Sequence, residues 1–167
     1  MTMPITDALL PEYDHEMGTT RRLLDRVPEA QFDWRPHEKS MTLGQLSGHL
    51  ANLPAWCSSI LDLAEFDLAS IADDRPPLPA SRDALLKEFD QKVDAARASL
   101  SKRTDAELMS PWTLKSGDHE IFTMPRIMAI RSFVMNHSVH HRGQLSVYLR
   151  LNNVPLPSIY GPTADEQ

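Results

Sequence analysis

Three histidines set the chemistry that this chain could perform. His137 and His141 stand four apart in the run Asn136-His137-Ser138-Val139-His140-His141-Arg142-Gly143-Gln144-Leu145. Residues four apart stack on one face of a helix, so the two imidazoles can be presented to the same point in space. That is the spacing two nitrogen ligands need to share one metal ion. His49 lies far upstream on a second apolar-periodic segment, and two helices are expected to bring the three rings together. Three protein nitrogens leave a position open for water or substrate, as catalytic zinc sites do. The same donor set suits nickel, iron or copper, with affinity order favouring copper and nickel over iron. The alternative is that the rings hydrogen-bond to carboxylates, backbone or water, because a buried imidazole with no partner is costly.

The other candidates are weaker. His140 is three residues from His137 but turns toward the side of Phe133, Asn136 and Val147, so it is placed at the edge of the site rather than among the ligands. His15, His37 and His119 read as surface or loop histidines. Cys57 reads as a small buried hydrophobe, since no cationic neighbour is in view to lower its pKa. Trp34, Trp56 and Trp112 read as packing residues, and so does Tyr160, the alternative being that it covers the site. The sequence has no Gly-rich phosphate loop, no Gly-x-Ser-x-Gly and no His-Glu-x-x-His. Acidic residues are many and scattered, and none is singled out as a general base.

Four helical stretches must position the histidines. The first runs from about 6 to 26, with Leu10, Tyr13, Met17, Thr20, Leu24 and Val27 on one face. Pro11 suits a first turn, so the residues before it are expected to form a separate short turn. Residues 28–41 read as an irregular connection. Thr42 and Gln45 form a capping box for a second helix, 42 to about 63, whose inward face is Leu46, His49, Leu53, Trp56 and Ile60. Pro54 should bend it by removing a backbone hydrogen bond. Asp73–Ala80, with Pro76, Pro77 and Pro79, reads as a stiff extended crossover. Ser81 caps a third helix, about 82–102, with Leu85, Phe89, Val93, Ala96 and Leu100 inward. Residues 110–124 are read as a short hairpin-like excursion around Ser116-Gly117-Asp118. Pro125 opens the longest helix, 125–152, with Ile127, Ile130, Val134, His137, His141, Leu145 and Tyr148 on one face. The tail from Ser158 to Gln167 is expected to strap the surface.

A chain of 167 residues most simply makes one domain, here 1–167, with a real core. Helices with inward apolar faces and few strand signals point to an all-α four-helix bundle with a crossover connection. The net charge of -6 and the lack of a basic cluster argue against nucleic acid or an anionic membrane as partner. No stretch approaches the roughly 20 apolar residues that span a bilayer. One cysteine excludes an intrachain disulfide and a Cys-based zinc site. A soluble cytoplasmic protein is the default expectation.

The chain resembles the DinB-like family of metal-binding helical bundles, the DinB/YfiT superfamily. The resemblance is carried by Leu46-Ser47-Gly48-His49-Leu50, by Asn136-His137 through Tyr148-Leu149, by Pro155-Leu156-Pro157-Ser158-Ile159-Tyr160-Gly161, and by Trp34-Arg35-Pro36-His37. These segments run in the family's order over nearly the whole chain. The resemblance implies an up-down-down-up four-helix bundle, a histidine triad mapping onto His49, His137 and His141, zinc or nickel as the metal, and a homodimer. The family name refers to damage-inducible expression. Some relatives transfer or isomerise substrates with low-molecular-weight thiols, so a small thiol is an implied partner. Two functions follow as expectations. One is an enzyme, a small-thiol S-transferase or a hydrolase, in which the metal creates a nucleophile at neutral pH. The other is a non-catalytic, metal-stabilised stress or binding protein, in which the ion mainly joins two helices.

Overall fold

A computed structural model describes residues 3–71 and 78–167. The protein is mostly helical, and the helices arise where the apolar residues recur with helical period. Helix α1 covers Ile5–Leu24 and buries Tyr13, Met17, Thr20 and Leu24. It is continuous through Pro11, so the separate short turn expected before that proline does not form. Pro11 instead gives up one intrahelical hydrogen bond within a helix held by its packing.

The second expected helix is interrupted where its proline lies. Helix α2 covers Leu43–Asn52 and begins in a full capping box, with the Thr42 hydroxyl accepting from the Gln45 N–H and the Gln45 side chain accepting from the Thr42 N–H. A 3-10 turn over Leu53–Ala55 holds Pro54, and helix α3 follows over Trp56–Asp62. Most of the expected Asp73–Ala80 crossover lies outside the described residues; 78–80 are non-helical. Helix α4 covers Arg82–Leu100, capped by the Ser81 hydroxyl, which accepts from the Ala84 N–H. A short helix α5, Asp105–Met109, opens in its own Thr104/Glu107 capping box.

The expectation of an all-α protein needs a correction. Strand β1 (Glu65–Asp67) pairs in parallel with β2 (Pro111–Ser116), which pairs antiparallel with β3 (His119–Pro125). The hairpin expected over 110–124 is thus present, and a third strand extends it into a small sheet. Its turn needs Gly117, whose φ is +59°, a value that L side chains rarely adopt. The Asp67 carboxylate accepts from the N–H groups of Gly117 and Ala69, each at 2.9 Å, which ties β1 to that turn.

The last long helix is likewise not uniform. Helix α6 (Arg126–Ala129) runs into a π-helical stretch, Ile130–Asn136, and then into α7, His137–Leu151. Arg126 joins sheet and helices. Its guanidinium donates to the carbonyls of Ile60 and, at 2.7 Å, Leu63 at the end of α3, groups that a helix end leaves without partners. The chain leaves α7 through Asn153 at φ 58°.

Helices α1 and α2 each pack against both α4 and α7. The core between them includes Leu9, Leu46, Leu50, Phe89, Leu100, Val134 and Leu145, and Trp112 of β2 is fully buried with its Nε1 donating to the Ser59 carbonyl at 3.2 Å. Among the described residues, no helix is long and apolar enough to cross a membrane.

Candidate metal centre

Helices α2 and α7 lie side by side, and the three histidines face one another across that contact. His49 sits in the last turn of α2, and His137 begins α7. The Nε2 atoms of His49 and His137 are 3.4 Å apart, and those of His137 and His141 are 2.8 Å apart. The rings of His49 and His141 meet edge to face at 4.5 Å between centroids. One nitrogen from each ring lies within 4.8 Å of the others.

Burial decides the charge of this cluster. His49 is pushed down to about 4, first by burial and then by the neighbouring His141 and His137. His137 and His141 are lowered too, with burial the largest cause in each. Neutral imidazoles at neutral pH keep the lone pairs that a metal requires. Two of the spacings also suit one ion. Ligands at ~2.05 Å from a first-row ion lie about 3.3 Å apart across a tetrahedral angle and about 2.9 Å across a right angle. The 3.4 and 2.8 Å separations match these spans, while the full set, within 4.8 Å, has to draw in to share one ion; the donor set fits a divalent transition ion in its chemistry.

The expected inward placement of the three histidines is only partly met. His141 is 8% exposed, whereas His49 and His137 are half-buried. The buried line of α7 runs through Ser138, His141, Arg142, Leu145 and Leu149, turned from the expected stripe through His137 and Tyr148. The π stretch before His137 accounts for this, because its wider turns shift the phase of everything after it. The three histidines thus lie at the rim of the core, reachable from outside. His140 is exposed and its ring lies 4.8 Å from that of His141, beside the cluster rather than in it. His15, His37 and His119 lie elsewhere, on α1, on the connection before α2 and at the hairpin turn. Cys57 is fully buried and its thiol is pushed up to about 12 by burial, which makes it an inert packing group.

Two features near the site were not read from the sequence. His141 Nδ1 lies 2.7 Å from the Gln144 side-chain oxygen. Arg142, next in sequence, is 1% exposed and pairs with Glu16 of α1 at 2.6 Å. The Tyr160 hydroxyl donates to the same Glu16 oxygen at 2.8 Å, and Arg142 in turn donates to that hydroxyl. A signal for Arg142 did exist: it falls in line with Ser138, Leu145 and Leu149 on one helical face.

Fold and site together define a class, helical proteins with a three-histidine cluster between two packed helices. Residues 12–145 match the sequence profile of the DinB superfamily, and the chain belongs to that superfamily. It is similar to YrdA, an uncharacterized protein of Bacillus subtilis strain 168, at 24% identity over 163 residues, covering 96% of this chain and 90% of that protein. A DinB-like protein of Bacillus cereus ATCC 10987 has a crystal structure with a TM-score of 0.74 at 22% identity, covering 96% of this chain and all of that one. A second DinB-like protein, YjoA of Bacillus subtilis, gives 0.68 at 17% identity, covering 93% of this chain and 99% of that one. At these identities the two structures speak to the fold alone.

Proposed function

We propose that His49, His137 and His141 hold one divalent transition ion, zinc or nickel, and that the protein is an enzyme using it, a small-thiol S-transferase or a hydrolase. The observation that carries this reading is the convergence of three neutral imidazole nitrogens within 4.8 Å. An ion bound there supplies positive charge that lowers the pKa of a thiol or water and yields a nucleophile at neutral pH. The chain's own residues do the rest. His49 and His137 are only half-buried, so the cluster can be reached from outside. Phe133, one turn before His137 and stacked on Phe122 at 5.1 Å between ring centroids, offers an apolar wall for a substrate. The up-down-down-up bundle path belongs to the same reading and is supported by the packing of α1 and α2 each against α4 and α7.

The second reading, a non-catalytic metal-stabilised binding protein, is favoured by the site's place at the α2–α7 contact, where an ion would join the two helices. Metal analysis of untagged protein, followed by assay with small thiols and a generic electrophile and with simple esters, separates the readings. We expect about one ion per chain, a large loss of affinity in His141→Ala, little loss in His140→Ala, and turnover abolished in His137→Ala. Equal losses in the two alanine variants would overturn the ligand assignment. Metal binding with no rate above the His137→Ala control would leave the binding-protein reading in place of the enzyme.

A further inference from the structure

Gln144 stands one turn beyond His141 on the exposed side of α7, with its amide oxygen 2.7 Å from His141 Nδ1. A glutamine on an exposed helix face is ordinarily a solvent contact. With the amide oxygen accepting, the ring proton sits on His141 Nδ1 and the neutral ring is left with a lone pair on Nε2. That Nε2 is the atom 2.8 Å from His137 Nε2. We infer that Gln144 is a positioning residue for the metal centre: it selects the His141 tautomer and ring rotation that make Nε2 a ligand before any ion arrives. The inference rests on the metal reading of the three histidines.

The competing tautomer shows why such a residue matters. With its proton on Nε2, His141 would donate to His137 Nε2, and the two rings would satisfy each other. Metal entry would then have to break that hydrogen bond and move the proton. The Gln144 oxygen holds the proton on the far side of the His141 ring, and with the His137 ring hydrogen-bonded to the Phe133 backbone the two inner lone pairs face one another, an arrangement that a cation relieves. The residue type fits the task. A carboxylate at position 144 would also orient the ring, as in carboxylate–histidine–zinc triads, while raising the basicity of the imidazole. A neutral amide orients without adding charge. The three-residue offset on the helix supplies the reach.

The experiment compares wild type, Gln144→Leu, Gln144→Glu and, as a control, Lys87→Ala, an exposed position on α4. Zinc affinity is measured by chelator competition at neutral pH. The His141 tautomer is read in metal-free protein from long-range proton–nitrogen NMR correlations. Gln144 is exposed, so all variants should keep the wild-type circular dichroism and melting curve. We expect Gln144→Leu to lose about 10–100-fold in zinc affinity, the usual cost of removing a ligand's orienting partner. Its His141 should shift toward the Nε2–H form, Gln144→Glu should restore Nδ1–H, and Lys87→Ala should change neither. A Gln144→Leu protein that keeps the Nδ1–H tautomer, or that binds zinc like wild type, overturns the inference and leaves the metal centre standing. Wild-type protein that takes up no zinc overturns the metal centre, and the inference with it.

Discussion

At the scale of single residues, burial holds three imidazoles neutral, and this carries a consequence for pH. His49 is lowered from 6.5 to about 4, and His137 and His141 are lowered in the same direction. In metal-free protein the unfolded chain begins to bind protons at these groups as pH falls below about 6.5, while the folded chain does not. Stability should therefore be full above about 6.5 and decline as pH falls toward the folded value of His49, about 4. Urea unfolding of chelator-treated protein across this window tests it. The decline should be shallower in His49→Gln, and identical profiles for the two proteins would mean that His49 is not desolvated. The histidines themselves were legible in the sequence, because the four-residue spacing of His137 and His141 is a helix-face signature. Gln144 was not: a polar residue on a wet helix face looks like any other until the ring nitrogen beside it has a direction. Glu16 was hidden for a related reason, since its partner Arg142 lies 126 positions away.

At the scale of elements, the histidines are only as well placed as α2 and α7 are relative to one another. The Arg142 clamp bears on that. From α7 it reaches the Glu16 carboxylate and, at 3.0 Å, the Glu16 carbonyl on α1, and it engages Tyr160 of the tail, whose ring centroid lies 4.9 Å from the guanidinium carbon. The tail is held further along by Arg26 to Glu166 and by Arg22 to the Ser158 carbonyl at 3.2 Å. The strap expected over 158–167 is thus present, with its anchor on the helix that carries His137 and His141. Breaking the clamp should be costly in proportion to what is left buried. Glu16→Ala strands the Arg142 charge and should cost about 3–5 kcal/mol. Tyr160→Phe removes one hydroxyl from a residue that is 64% exposed and should cost about 1 kcal/mol. Denaturant midpoints at constant slope measure both, and a Glu16→Ala cost no larger than that of Tyr160→Phe would show that Arg142 finds other partners. Both helix interruptions bear on what the sequence could tell. Pro54 announced the break after α2, whereas nothing in Ile130–Asn136 announced a π stretch, and the face assigned to α7 was rotated for that reason.

At the scale of the whole molecule, the long helices were legible from apolar period and caps, and the small sheet only in part. A hairpin needs only local pairing and a turn glycine, both visible around Gly117, whereas β1 is three residues long and pairs in parallel with a strand that begins 44 positions after it ends. No alternation can be read from three residues. The sequence-level expectation of a homodimer can now be given a surface. Val147 and Leu151, four apart on α7, are 56% and 57% exposed. Paired apolar side chains on the outer face of a core helix gain by being covered, at about 25 cal/mol per Å² of apolar surface removed from water. The net charge of -6 opposes self-association at low salt, and that repulsion weakens as ions screen it. We therefore expect light scattering at micromolar concentration and physiological salt to give twice the chain mass of 18.9 kDa. Val147→Lys with Leu151→Lys should shift it to the single-chain mass without loss of helical content, because neither side chain is in the core. The same face runs past His140 and Gln144, so covering it would also shield the outer side of the histidine cluster. Wild-type protein at the single-chain mass under these conditions would remove the dimer, and a dimer that survives the double lysine variant would move the interface off α7.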